Sequence, residues 1–332
     1  MRIGVLLLLA ACYAPHPGTG SPCSDGPCPP GLVCSPASQT CELTAVDAAT
    51  SVLYDAPAVP SDGAVPANDT AGGAIDISAG GTFTADLTGA HDDAANNNCA
   101  GHGGVDVFYT LALDAAEVIY LDTFGSSFAT ELRVFPGKPC SALPNNGPCN
   151  EAACGGSHSQ LATQLPAGTT CVVVDQKSGE TGTALTLHVT RGGRAGTRLG
   201  TGVQTYTDDS CANGTDATDP PMTCASGDTN TAKDLAYYFT VCPNTTAHLD
   251  ATTCADATQT HFDTVMYLAQ EGGASLACDD DDSTCAARTE RPDKADGSIL
   301  HSVAVPGPGL FWLTVDGYSG QCGGYQLVTN LQ

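Results

Sequence analysis

The densest group of reactive side chains is the octet Cys278-Asp279-Asp280-Asp281-Asp282-Ser283-Thr284-Cys285. Carboxylates this close raise one another's pKa unless a cation neutralises them. If the flanking Cys278 and Cys285 bond to each other, all four acids are held in one tight loop. Calcium suits such a loop, because it accepts many oxygen ligands with loose geometry. Asp263 and Asp316, on neighbouring strands, are then further ligands. The competing reading is a solvated acidic loop, since no EF-hand spacing is present. A related stretch, Cys149-Asn150-Glu151-Ala152-Ala153-Cys154, holds one carboxylate and is expected to bind no ion. The acids Asp208, Asp209, Asp216 and Asp219 lie around Cys211 and Cys224 among glycine and proline, and read as a stapled surface insertion.

Other chemistries find little support. The chain has no Gly-x-Ser-x-Gly, no His-Glu-x-x-His and no phosphate-cradling glycine loop. Its histidines are scattered, and nothing in the spacing of His91, His102 and His158 makes them a metal trio. Carboxylate pairs for glycoside hydrolysis carry no signal where acids are everywhere. Trp312 follows a Pro-Gly turn on an apolar strand, which favours core over a sugar platform. No enzymatic activity is expected from this sequence.

Length and charge set further bounds. The 332 residues leave room for two domains with small attachments. Eleven Lys and Arg stand against 36 Asp and Glu, a net charge of −25. Such a surface is repelled by nucleic acid and anionic lipid, and it keeps a protein soluble. Seventeen cysteines place the chain in an oxidising compartment.

The N-terminus carries an address. Arg2, the apolar run Ile3–Leu9 and two alanines before Cys12 form a short secretory signal, too short to span a bilayer. Leu9-Ala10-Ala11-Cys12 is similar to the lipobox of bacterial lipoproteins. That resemblance implies removal of residues 1–11, acylation of Cys12 and a lipidated N-terminus over 12–22. The membrane is then a partner through lipid alone, since several acyl chains anchor firmly. Tyr13, where an aspartate would retain the protein inside, favours the outer membrane by resemblance to the enteric sorting rule.

Cys23, Cys28, Cys34 and Cys41 follow, set among turn-forming residues with nothing to bury. A segment of this size needs staples, so 23–41 reads as a disulfide-rich module in any of three connectivities. It resembles the small knots that follow the lipidated cysteine of envelope lipoproteins. Residues 42–67 are mostly Ala, Pro, Asp, Ser and Val without Lys or Arg, and read as a disordered linker. Largely extended, about 26 residues reach roughly 80 Å.

The remainder is a duplication, 68–193 and 194–332. Val174-Asp175 through Gly182 matches Val315-Asp316 through Gly323 at identical spacing. Asp106–Leu111 parallels Asp234–Phe239, and Phe128-Ala129-Thr130 parallels Phe262-Asp263-Thr264. Apolar residues alternate with polar ones along Val107–Leu113, Leu235–Val241, Leu185–Val189 and Phe311–Val315, so one face of each strand should be apolar and the other wet. With Gly and Pro in the gaps and no capped helical stripe, the expected fold is all-β: two tandem antiparallel jelly-roll-like β-sandwiches.

The Asp-x-x-Tyr strand, the Phe-x-Thr strand, the acidic Cys loop and the Val-Asp-x-x-Ser-Gly-x-x-Gly segment together resemble the bacterial pre-peptidase C-terminal domain. That family implies a jelly-roll passenger beside a catalytic domain, and no catalytic domain is evident here. The second copy matches better; the first has Ala129 and Asn150-Glu151 where the second has Asp263 and paired aspartates. Five cysteines in the first copy (Cys99, Cys140, Cys149, Cys154, Cys171) and seven in the second are both odd numbers. Either one bridge joins the copies or each keeps a thiol, for which buried Cys171 is the candidate in the first. The resulting expectation is a lipid-anchored envelope protein displaying two binding modules to an envelope protein or polysaccharide. A calcium-dependent adhesion module and a hydrolase accessory protein are the alternatives.

Overall fold

The computed structural model describes the backbone of 32–34 and 41–43, and residues 65–332 except 95–98, 100–102, 145–146, 222, 226–230, 257 and 287–295. Two compact units result, Met1–Ala58 and Val59–Gln332. In the first, β1 (Leu32–Cys34) and β2 (Cys41–Leu43) form an antiparallel pair. Cys12 and the sulfur pairing of Cys23, Cys28, Cys34 and Cys41 lie outside the described residues.

The second unit is a topological repeat. Its first half runs β3 (Ile75–Asp76), β4 (Gly81–Asp86), β5 (Asp106–Leu113), β6 (Glu117–Asp122), β7 (Thr130–Phe135), β8 (Cys149–Asn150), β9 (Gln160–Leu165), β10 (Gly168–Gln176) and β11 (Ala184–Arg191). The second half repeats it as β12 (Thr197–Arg198), β13 (Gly202–Asp209), β14 (Leu235–Val241), β15 (Thr246–Thr252), β16 (Thr264–Gln270), β17 (Ser275–Asp280), β18 (Ile299–Pro306), β19 (Gly309–Gly317) and β20 (Gly324–Leu331). Each half has a five-stranded sheet, β3-β5-β10-β7-β8 or β12-β14-β19-β16-β17, and a four-stranded sheet, β4-β11-β6-β9 or β13-β20-β15-β18. Strand for strand, the orders are identical. The pairings are antiparallel except for the two-residue parallel contacts of β3 with β5 and β12 with β14. Among the described residues no helix is long and apolar enough to cross a membrane.

Inward-facing residues follow the two-residue period of the sequence. In the first sandwich Val107, Tyr109, Leu111, Val172 and Val174 of one sheet meet Ile119, Leu121, Leu185 and Leu187 of the other. Tyr237, Phe239, Phe311, Leu313 and Val315 meet Leu249, Tyr325 and Leu327 in the second.

The expectation that the opposite faces are wet fails at the five-stranded sheets. Phe108, Phe135, Val173 and the Cys140–Cys171 disulfide form a separate buried cluster outside the first sheet. Cys171 is therefore bonded, not a buried thiol. The loop carrying Cys140 covers this face and makes it a second small core. On the second sheet, Val265 and Tyr267 are covered by Ala225 and Cys224, the latter bonded to Cys278.

A third covering joins the halves. Val118, Tyr120 and Ala162, on the outer side of the first sandwich's four-stranded sheet, pack against Ala236, Tyr238, Leu310 and Trp312 of the second's five-stranded sheet. Cys154 and Cys242 bond across this seam, so one bridge does tie the copies together.

Candidate functional site

The acidic octet is not the closed loop expected from its sequence. Cys278 bonds to Cys224 and Cys285 to Cys254, while Cys149 bonds to Cys99 and Cys154 to Cys242. Both local pairings are thus corrected. Cys278 lies within β17 and is committed to the sheet, whereas Cys285 follows in the next turn. Strand alternation then sends the acids apart. Asp279 accepts from the backbone N–H of Ile299 at 2.7 Å, and its burial pushes its pKa up. Asp280 stands opposite Val265, which in turn stands opposite Asp316. Asp281 takes a positive φ of 63° and turns the chain. Asp282 accepts from the N–H and hydroxyl of Thr284, which hold its pKa below the usual carboxylate range.

Of the six aspartates proposed as ligands, the fold brings three together. One carboxylate oxygen from each of Asp263, Asp280 and Asp281 lies within 4.8 Å of the others. Asp263 is 1 % exposed, delivered by the turn into β16. Asp279 and Asp282 are spent on backbone and turn hydrogen bonds, and Asp316 accepts from the N–H of Gly317 at 2.7 Å. In the first sandwich Ala129 stands where Asp263 does. There Asn150 accepts from the N–H of Gln160, and Glu151 lies 3.5 Å from Lys177.

The first sandwich concentrates charge elsewhere. Asp106 and Glu131 flank Asp175 across β5, β10 and β7 on the outer sheet face, with Arg133 two residues along. All four are buried. Arg133 lies 2.7 Å from Asp175 and 3.2 Å from Glu131, and donates to the carbonyl of Ala94. Burial outweighs that attraction: the pKa is raised to about 8 at Asp175 and to about 7 at Asp106. The second sandwich has Tyr267 at the position of Arg133, its hydroxyl donating to the carbonyl of Thr218.

Three of the described histidines have structural partners. His91 Nδ1 lies 2.8 Å from Asp69, beside Asp93, and His188 Nδ1 lies 2.7 Å from Asp122. His158 Nε2 contacts the carbonyl of Ser126, and His102 lies outside the described residues.

Sequence reasoning passed over the seam. Trp312 is 1 % exposed, as its place on an apolar strand suggested, but it faces away from its own core. The link between the halves, Gly192-Gly193-Arg194-Ala195-Gly196, wraps its indole. A Cβ on Gly192 would lie 2.7 Å from the ring, and one on Gly196 2.6 Å, so only glycine admits this approach. The link is pinned to β6, Gly192 N–H donating to the carbonyl of Val118 and Val118 N–H to that of Arg194. The Arg194 guanidinium covers the ring at 4.4 Å, and the indole N–H donates to Glu271 at 2.6 Å. The buried Nε of Arg194 has no hydrogen-bond partner among the described residues. Its pKa is pushed down by burial, against the pull of Tyr267, Glu271 and Asp234. The string Arg-Gly-Gly-Arg-Ala-Gly between the copies, in a chain with one tryptophan, is the signal that could have drawn attention here.

Clefts follow this seam. One of about 450 Å³ and another of about 530 Å³ share Gly193, Arg194 and Ala217. A third, of about 180 Å³, shares Gln270 and Glu271 with the first and reaches Tyr120, Asp122 and His188 of the other sandwich.

No protein-family model matches the chain, and no curated protein sequence matches it. Among solved structures it is similar to a tail fibre protein from an E. coli phage, at 8% identity over 69% of this chain and 35% of that one, TM-score 0.21. It thus spans about a third of that protein. The extracellular domain of ANXUR2 from Arabidopsis thaliana gives 9% identity over 68% and 81%, TM-score 0.19. The tandem CBM51 modules of a family 98 glycoside hydrolase from Streptococcus pneumoniae give 9% over 70% and 83%, TM-score 0.17. Overlaps this slight carry no argument about function.

Proposed function

We propose that this chain is a lipid-anchored protein of a bacterial cell envelope, held in the outer membrane by Cys12, whose fused sandwiches bind a partner without catalysing a reaction. The seam is the observation that carries this reading. A disulfide and a shared apolar cluster join the two modules in one support, which serves presentation of a surface better than two beads on a string. His91, His158 and His188, with Asp69 and Asp122, already hold structural hydrogen bonds. The pre-peptidase C-terminal resemblance agrees with a passenger role. The test has two parts. Labelled palmitate should enter the wild-type protein, and Cys12→Ser should move it from the membrane fraction to the soluble one. The purified ectodomain should stay silent on peptide, ester and glycoside panels; turnover on any of them, lost on Asp or His substitution, overturns the reading.

A calcium-dependent adhesion module is the second reading, favoured by the convergence of Asp263, Asp280 and Asp281. Calorimetric titration with calcium should show one site, abolished by Asp263→Asn. A titration without heat and without a shift in melting temperature removes it.

A further inference from the structure

The hydrogen-bonding capacity left over along the seam is unevenly distributed. Most of the carboxylates lining the clefts are already engaged. Asp234 accepts from the N–H groups of Ala217 and Thr218, Glu271 from the Trp312 indole, Asp208 from Asn213, and Asp122 lies against His188. Arg194 is shared by the two larger clefts and only half-buried, so its guanidinium reaches both, while its buried Nε has no partner among the described residues.

We propose that the groove along the seam binds a linear, uncharged oligosaccharide, with Arg194 donating to its hydroxyl and ring oxygens. This rests on the reading of the chain as a binding protein and names the class of its ligand. Three clefts share lining residues along the seam, and such a row of neighbouring clefts suits a chain of repeating units. Carboxylates outnumber cations along it and the whole chain carries −25, so a polyanion is repelled. A polycation meets Arg194 at the centre. A sugar hydroxyl both donates and accepts, which matches a wall where Arg194 donates and the Glu271 carboxylate and Thr218 hydroxyl oxygen accept. Gly193, Ala217 and Ala269 leave a shallow floor with no deep apolar pocket of the kind that selects peptide side chains.

Trp312 is the only tryptophan in the chain, so tryptophan emission reads this seam alone. The full mature protein in detergent is titrated with hexasaccharides of α-linked glucose, β-linked glucose, mannose and N-acetylglucosamine, with calorimetry in parallel. At least one should give a saturable change in emission. Arg194→Ala should weaken binding about tenfold, and Gln270→Ala, at an exposed position shared by two clefts, several-fold with an unchanged melting curve. Silence toward all four sugars overturns the proposal, as does a response that both variants keep. A preference for oligogalacturonate or for an uncharged peptide overturns it equally. If Cys12 is acylated and the activity panels are silent while all four sugars fail, only the groove is lost; if the palmitate test also fails, the envelope reading falls independently.

Discussion

The two sandwiches share every strand and differ in what they offer on the outside of the four-stranded sheet. In the first, Val118 and Tyr120 on β6 and Ala162 on β9 face outward and are buried by the second sandwich. The register of β6 with β11 and of β15 with β20 places His248 and Asp250 where Val118 and Tyr120 stand. His248 is exposed and Asp250 half-buried, and Asp250 accepts from the N–H of Ser302 at 2.8 Å. The same face is thus an apolar seat in one copy and a hydrogen-bonded polar surface in the other. Stacked repeats propagate while each presents an apolar face to the next, and they end where a repeat turns polar.

The covered faces differ in a second way. The first sandwich buries three carboxylates around the single guanidinium of Arg133, whereas the second places Tyr267 there and gathers its acids one turn away, at Asp263, Asp280 and Asp281. Both copies bury acids on this face, but only the first buries a guanidinium among them.

The largest test of this contrast is at Trp312. Trp312→Ala removes the seam's main contact and should cost about 3–5 kcal/mol, read as a lower urea midpoint. A loss below about 1 kcal/mol would mean that the seam contributes little. Arg133→Met leaves buried carboxylates without their cation and should cost a similar amount, about 3 kcal/mol or more at pH 8 and less at pH 5. Tyr267→Phe at the matching position should cost only about 1 kcal/mol. Equal losses at the two positions would erase the distinction.

Replacing Cys154 and Cys242 together by alanine should cost about 2–4 kcal/mol, since the bridge closes a long loop, with a sequence separation of 88. Calorimetry should then resolve the sandwiches into two transitions. The pH dependence follows from Asp106 and Asp175, whose folded pKa values are raised to about 7 and about 8. Groups so raised stabilise the fold fully below the ordinary carboxylate range, and that stability is lost as pH rises through their folded values. The melting temperature should therefore fall on the order of 5 °C between pH 5 and pH 9. A rise over that interval would contradict the buried-acid assignment. The smallest effect on stability, and the sharpest on assembly, is expected from His248→Val with Asp250→Tyr. Together they restore the apolar face on the second sandwich and should produce dimers by size-exclusion chromatography.

Much of the fold was legible from particular residues. The alternation in Val107–Leu113 and Phe311–Val315 marks their inward faces, because a half-buried strand needs a two-residue period. Matched anchors such as Val174-Asp175 and Val315-Asp316 revealed the repeat. The candidate sites were legible only in part. Asp263 and Asp280 could be named, but not their separation from Asp279, because strand alternation decides which acids share a face. The pairings of Cys149, Cys154, Cys278 and Cys285 were misread because nearness in sequence is a poor guide once a cysteine is fixed within a strand.

The sequence alone determined the all-β class, the duplication and the inward residues, since each is a local pattern that one strand or turn enforces. Tertiary structure decided which sulfurs meet, which three aspartates converge and that Trp312 and Arg194 share a seam. Those depend on elements far apart in the chain being laid side by side, and no local period records that choice.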